Sequence, residues 1–446
     1  MSELTALQRA VQRAHGTREV VLADDAFDRL PDVARTLLGP APLTVVCDDN
    51  TWAAAGKEVA AKLGRCFRIV NTFVMPGQPR LKPHVEHSHR LAAELQSSGS
   101  RAVAVGSGVV NDLTKYASAL VERSYICVPT AASMDGYSAS GAPLLDNGFK
   151  RTLPCAPPVA VVADPRIAVA APASMASWGY GDLAGKISAG GDWILADALG
   201  EEAISQAEWD LVQGNLESWL SNPQAVRDRD PAAVKGLLEG LLVSGFAMQS
   251  YGNSRPASGS DHQFSHLWEM EQLTVDGVPV AHGVCVGIGC LASLALYDWL
   301  IVQDLTGIDP DTLVRRRRPI ADIEAEVRAA FKGPSLGDAS VVEVRAKYPE
   351  SSQLRHRLHR LRTAWPALRD RLSGHLPRAQ VVRDRLAIQG LPVHPDALGV
   401  GVVAFAKDYK RAAMIRRRFT IFDLLIDVDL FDDAIAAITR PGGFWY

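Results

Sequence analysis

The chain is short of several things that would each assign a different class. Six cysteines in 446 residues form no CxxC pair, and several sit in apolar, strand-like runs. That argues against a disulfide framework in a chain this long, and fits buried, reduced thiols. Net charge is −3, so no basic excess points to nucleic acid. Residues 1–30 hold no apolar h-region, so no signal peptide is predicted and the expected compartment is the cytoplasm. Neither an internal repeat nor a low-complexity tract is found. One stretch, 283–302, carries a single charge, Asp298, and no second such stretch is read; its Gly and Ala content predicts a buried helix with no membrane partner.

What is present is alternation. Apolar β-rich runs at 43–47, 67–74, 101–105, 125–128 and 159–162 are separated by helical patterns at 51–63, 85–96 and beyond 110. This predicts a parallel α/β sheet over residues 1–166. A hairpin signal, Asp146-Asn147-Gly148, interrupts it. After about 167 the strand signals stop. Helices are expected at 181–199, 203–219, 232–250, 262–273, 282–302, 310–331 and 352–372, with a final pair after 395. The expected fold is an α/β N-terminal domain, 1–166, followed by an all-α C-terminal domain, 167–446.

Between the run ending at Val105 and the helix near Val110 lies Gly106-Ser107-Gly108, followed by Val109, Val110, Asn111 and Asp112. Glycines bring backbone close to an anion, and the free N–H groups and dipole of a helix start hold its charge. GxGxxG is lacking because Asn111 stands at the last position, and no Gly-Lys-Ser/Thr follows. A phosphate cradle and a plain strand-to-helix turn both fit. A second loop, Thr130 to Ser138, also follows a strand and would lie beside the first at the strands' carboxyl ends. Asp48 and Asp49 close the first run, placed for a ribose or as solvated turn carboxylates.

His262 and His266 are four apart and share a helix face. His282 and Asp182 each open an apolar helical pattern. One carboxylate and two imidazoles would leave a divalent cation an open coordination position, as catalytic sites require. Ordinary hydrogen-bonded histidines are the competing reading.

The stretches GSGVVNDLTKYAS (106–118), VPTAASMDGYSAS (128–140), GYGDLAGK (179–186), SRPASGSDHQFSHLWE (254–269), AHGVCVGIG (281–289) and RRRFTIFDLL (416–425) resemble the signature blocks of glycerol-1-phosphate dehydrogenases. These belong with the iron-containing alcohol dehydrogenases and dehydroquinate synthase. The resemblance implies a Rossmann-like N-terminal domain and a helical C-terminal domain, as in dehydroquinate synthase, and a homodimer. It implies NAD or NADP, one divalent metal (zinc, nickel or iron, all suited by Asp/His₂) and a small phosphorylated polyol substrate. It assigns metal binding to Asp182, His262 and His282. Substrate contact and catalysis fall to Asp135, Asp182 and His266, and cofactor contact to residues 106–112 and to Thr130 and Ser133. A dehydroquinate-synthase-like cyclase, or a dehydrogenase for another polyol phosphate, would use the same scaffold.

Two positions depart from the family. The family's Asp-Gly-Tyr-Ala-Ser reads Asp135-Gly136-Tyr137-Ser138-Ala139 here, leaving Ser138 to supply the cofactor's hydroxyl. Distant iron-type members carry a histidine four residues after the Asp ligand, where this chain has Lys186. Lys186, with Arg255, is therefore a candidate for the substrate phosphate; a solvated helix lysine is the alternative.

Overall fold

A computed structural model describes residues 4–78, 80–146, 149–331 and 334–446. Eight strands come first: β1 (Glu19–Leu22), β2 (Leu43–Asp48), β3 (Val70–Met75), β4 (Arg101–Gly106), β5 (Ile126–Pro129), β6 (Ala142–Asp146), β7 (Phe149–Leu153) and β8 (Ala160–Ala163). Six form one sheet in the order β1-β8-β5-β4-β2-β3, with every pairing parallel. A parallel sheet covered on both faces needs unbroken apolar runs. β5 and β8 are buried at every position, and β2 and β4 at all but one end. Helix Ala26–Leu38 packs with Lys57–Gly64, and Val85–Ser98 with Gly108–Leu120. β2 connects outward to β3 while β4 connects the other way to β5. The crevice where chain direction reverses therefore lies beyond the carboxyl ends of β2 and β4.

β1 was not anticipated, since Glu-Val-Val-Leu is short and opens on a charge. It joins the sheet beside β8 in register Glu19↔Ala160. β6 and β7 form the expected hairpin; its turn residues Asn147 and Gly148 lie outside the described residues. The expected helix 51–63 contains a π-turn, Trp52–Gly56.

The later helices are more broken than their periodicity suggests. The 203–219 pattern is two helices, Gln206–Val212 and Leu216–Leu220, split where Asn215 Nδ2 donates to the Asp210 and Leu211 carbonyls. The 310–331 pattern divides at Pro319, which cannot continue Pro310–Arg316 and instead caps Ile320–Ala330. Helices Pro334–Lys347 and Ala379–Ile388 are additional, and three α-helices rather than two follow Pro395. Strand signals do not stop at 167 either. Thr274–Val275 pairs with Val278–Pro279 across Asp276-Gly277, both at positive φ, as a two-residue hairpin turn requires.

By contacts the chain divides into Met1–Leu183 with Ala207–Ala257, and Ala184–Gln206 with Ser258–Tyr446. This differs from the expected division at 166/167. Helix Pro231–Tyr251 packs on Ala6–Arg13 and Pro165–Ala170 and so belongs with the sheet. The division cuts the 27-residue helix Ala173–Leu199 between Leu183 and Ala184, so one continuous helix serves both units.

A second long apolar helix corrects the sequence reading. His282–Leu300 and Pro231–Tyr251 both have the length and hydropathy of a membrane span, and are 89% and 61% buried over their apolar windows. The second was hidden by Lys235 and Glu239. Lys235 is exposed and Glu239 half-buried, while the apolar remainder faces the core.

Candidate active site

In the first unit, β4 ends at Gly106 and helix Gly108–Leu120 begins at once. Ser107 caps that helix in an extended conformation without a side-chain hydrogen bond, so the first-turn N–H groups are not capped from within. Ser107, Gly108 and Val109 are half-buried and keep accessible surface. Val110 is buried, packed where a β-carbon on Gly106 would sit. The Asn111 and Asp112 side chains make contacts that hold the neighbouring loop. Asn111 Nδ2 donates to the Gly136 carbonyl (3.4 Å) and its Oδ1 accepts from Tyr125 Oη (3.1 Å). Asp112 sits against the buried Lys115 ammonium (3.2 Å), which also donates to the Gly136 and Gly141 carbonyls, each at 3.0 Å. These side chains fasten the 130–141 loop to the phosphate-loop helix. Sequence reasoning missed Lys115, whose signal was its spacing of three from Asp112.

The second loop lies alongside. Thr130 N–H donates to the Gly106 carbonyl (3.2 Å), joining the two loops directly. The Ser133 hydroxyl is 3.0 Å from Tyr137 Oη, which donates to the Ala131 carbonyl. Ser138 does not take the role expected of it. It is fully buried, and its hydroxyl donates to the Leu242 carbonyl (2.8 Å). With the hydroxyl one position earlier than the family pattern, the side chain points to the Pro231–Tyr251 helix. Asp48 and Asp49 are committed to local turns. Asp48 accepts from Thr51 N (2.8 Å) and Oγ1 (2.9 Å), and Asp49 from Gly77 N (3.0 Å).

Asp135 and Asp182 are brought together. Asp135 N–H donates to Asp182 Oδ2 (2.9 Å), and Ser244 Oγ donates to Asp135 Oδ2 (3.0 Å). Asp182 is fully buried. Its helix approaches this loop because Gly179 has no side chain: a β-carbon there would overlap the Ala132 carbonyl carbon at 2.8 Å. Gly179→Ala must push helix and loop apart, and a backbone carbonyl cannot rotate away as a side chain would. The expected cost is about 1–3 kcal/mol in urea unfolding, with weakened dinucleotide binding. Unaltered stability would show that the approach is loose.

In the second unit, helix Ser260–Met270 carries His262 and His266, and His282 opens helix His282–Leu300. The His262 and His282 rings lie 5.4 Å apart, and His266 is 6.0 and 6.4 Å from them. Glu269 stands behind the group. Its Oε1 accepts from His282 Nδ1 (2.8 Å), and its Oε2 is 3.5 Å from His266 Nδ1. His262 Nδ1 meets Asp261 Oδ2. Each carboxylate fixes one ring nitrogen as N–H and leaves Nε2 with its lone pair, the arrangement a metal-ligating histidine needs. Burial and the Arg416 charge push the His266 pKa down to about 3, against the opposing pull of Glu269, so His266 is neutral near pH 7.

Asp182 rides on the helix that continues unbroken into this unit. One ligand-type atom from each of Asp182, His262 and His282 lies within 4.8 Å of the others. Among the described residues no other group of three or more His, Cys, Asp or Glu meets that test. Atoms bound to one zinc-sized ion at about 2.1 Å stand roughly 3.4 Å apart. Side-chain movement on the order of 1 Å therefore closes the set, so the donors fit a divalent cation.

Lys186 is fully buried, which overturns the solvated-lysine alternative. Its charge acts on Asp261, whose carboxyl burial pushes up to about 7 against the Lys186 ammonium and the hydrogen bonds from Ser188 and Gly259. Arg255, in the first unit, is fully buried as well. Arginines cluster at 315–318 and 416–418, and several are paired: Arg317 with Asp427 (2.8 Å), Arg318 with Glu326 (2.5 Å) and Arg417 with Glu343 (2.7 Å), while Arg418 donates to the Ser258 carbonyl. These pairs lie within the second unit.

Residues 21–172 match the family model described as iron-containing alcohol dehydrogenase. The chain is 34% identical to a glycerol-1-phosphate dehydrogenase (NAD(P)+) of Bacillus velezensis, over 55% of this chain and 63% of that protein. The chain thus spans a little under two thirds of that relative. Against the proteins of the same description from Halalkalibacterium halodurans and Pyrococcus furiosus, identity is 33% and 30%. These alignments cover 63% and 67% of this chain, and 70% and 87% of those proteins. The fold matches the crystal structure of glycerol dehydrogenase from Schizosaccharomyces pombe with a TM-score of 0.59 at 15% identity, covering 94% of this chain and 90% of that one. With a parallel sheet, a helical C-terminal region and these relatives, the chain belongs to the glycerol-1-phosphate dehydrogenase family of the iron-containing alcohol dehydrogenases.

Proposed function

We propose that this protein interconverts dihydroxyacetone phosphate and glycerol 1-phosphate, with NAD(P)H as hydride donor in the reducing direction. The observation that carries the reading is the Asp182, His262 and His282 group, with Glu269 and Asp261 orienting its imidazoles. Asp182, His262 and His282 would hold one divalent metal, which when bound supplies Lewis acidity toward the substrate's C2 oxygen.

The chain's own groups do the rest. The half-buried Gly106-Ser107-Gly108 turn and its helix N-terminus receive the cofactor's phosphates. Thr130 and Ser133 hold the neighbouring loop in place. Asp135, fixed by Ser244, and Asp182 accept hydrogen bonds from substrate hydroxyls. Lys186 and Arg255 are the cations assigned to the phosphate end. His266 is neutral, so it donates a hydrogen bond through one nitrogen and can pass a proton through the other.

The test is oxidation of NADH and NADPH, followed at 340 nm, with dihydroxyacetone phosphate. Protein is stripped of metal and reloaded with zinc, nickel or iron. Metal-dependent oxidation is expected. Protein that binds NADH and metal but oxidises none would sink the reading. His266→Ala should lower kcat by about 10²–10⁴-fold while metal content holds, measured by elemental analysis. Loss of metal in that variant would make His266 a ligand instead.

A further inference from the structure

Gly77–Gln78 and Arg80–Pro83 follow β3, the edge strand of the sheet, and mark a crossing of its carboxyl end. The crossing begins beside β2, where Gly77 N–H donates to Asp49 (3.0 Å) and Asn50 Nδ2 donates to the Gly77 carbonyl (3.5 Å). It ends at the β6–β7 hairpin, where Leu145 N–H donates to the Pro83 carbonyl (2.7 Å) and His84 bridges Leu145. Midway, the Arg80 guanidinium stands 5.1 Å from the Trp178 ring centroid. Trp178 precedes Gly179, which rests on Ala132 in the loop after β5. In the sheet order β5-β4-β2-β3, the end of β4 lies between these anchors. Arg80 thus stands at the Trp178 ring, next to the residue that rests on the loop after β5, and that loop is joined to Gly106 through Thr130.

Arg80 is exposed, and among the described residues its one partner is the Trp178 ring, with no carboxylate beside it. An arginine serving only as surface charge would be solvated on all sides or paired. Among the described residues Arg80 is not ion-paired, and one face of its guanidinium lies over the indole rather than in water; partial desolvation holds its pKa below the usual range. An indole face holds a guanidinium flat without using its N–H donors, which stay available for an anion. The phosphate turn supplies backbone N–H groups but no cation: Lys115, the lysine of its helix, is buried on the Asp112 carboxylate and on loop carbonyls.

Resting on the dinucleotide reading above, we infer that Arg80 is a cofactor-binding residue. Stacked on Trp178, it closes over the Gly106-Ser107-Gly108 turn and donates to the cofactor's pyrophosphate. Gly77 on one side and Pro83 on the other are tied to the sheet unit.

The experiment is equilibrium binding of NADH, NADPH and ADP-ribose to full-length protein, by calorimetry, for wild type, Arg80→Ala and Arg80→Lys. Arg80→Ala is expected to raise all three Kd values alike, by about 10–100-fold, as loss of a charge-assisted hydrogen bond does. Arg80→Lys should recover only part, because lysine keeps the charge but loses the planar fork. A Kd within about twofold of wild type for all three ligands, in variants that melt as wild type does, overturns the assignment. So does a loss confined to NADPH, which would place Arg80 at the 2′-phosphate. Wild-type protein that binds none of the three overturns the dinucleotide reading itself, an outcome distinct from failure of Arg80 alone.

Discussion

Replacing His262 by alanine is expected to abolish stoichiometric metal and to lower turnover by at least about 10³-fold, with the fold intact. The magnitude follows from what a metal site supplies: several kcal/mol of stabilisation for charge developing on the substrate oxygen, at one decade of rate per ~1.4 kcal/mol. His262 is the centre of the group. Its ring is nearest to His282, at 5.4 Å, and Asp261 fixes its free nitrogen. Removing it leaves Asp182 and His282, and two ligands do not hold a catalytic ion against water. The fold should survive because Phe264, Leu267 and Trp268 remain fully buried on the same helix, with Phe264 in ring contact with Phe405, Tyr409 and Phe422 and Trp268 with Phe405. Metal content by elemental analysis, with turnover and melting temperature, checks all three points. Full metal occupancy in the variant would remove His262 from the ligand set. A collapsed melting temperature with metal retained would make its role structural.

Glu269 offers a finer version of the same test. It touches His266 and His282 without being in the ligand group, so Glu269→Gln should weaken metal affinity by about 10–100-fold rather than abolish binding. Unchanged affinity would show that Ser265, 3.0 Å from His282 Nδ1, orients the ring unaided.

The ligand types of this site could be read from the chain because they obey local rules. His262 and His266 stand four apart on one helix, and Gly106-Ser107-Gly108 follows an apolar run into a helix. What the chain hid was the set of groups that position them. Glu269 shares a helix with His266 but works mainly on His282, thirteen residues away on another element. Ser138 kept the right residue type one position early, and the register of that turn sends its hydroxyl inward. Lys186 reads as an ordinary helix lysine until packing buries it completely and sets it against Asp261. In the fold, β1 escaped because four residues opening on a glutamate carry little periodicity. Its strand character comes from pairing with β8, 141 residues away in register. Strong, long, apolar signals survived; short elements and partners distant in sequence did not.

Asp192 is where tertiary structure adds most to the sequence, and its removal should cost the most stability. It lies in the apolar part of the Ala173–Leu199 helix and is fully buried. Its Oδ2 accepts the Ser260 N–H (2.6 Å), and its Oδ1 accepts Tyr297 Oη (2.7 Å) and the Ile421 N–H (2.9 Å). Ser260 and Ile421 are the first residues of their helices, so one carboxylate satisfies buried first-turn donors at two helix starts and meets both positive dipole ends. It also reaches the His282 helix through Tyr297. Asp192→Ala would remove the acceptor of three buried donors, at about 1–3 kcal/mol each. The expected loss is on the order of 4 kcal/mol or more in urea unfolding, enough to empty most of the stability of an ordinary domain. Asp192→Asn tests the chemistry more narrowly. The amide keeps the shape but offers one acceptor oxygen where the carboxylate offers two, so Ser260, Tyr297 and Ile421 cannot all be satisfied. Because Ser260 begins the helix that carries His262, Asp192→Asn should also weaken metal binding in protein that remains folded. A variant with wild-type stability and metal affinity would mean that water replaces the carboxylate at these helix starts. The position of the histidines would then be set by apolar packing alone.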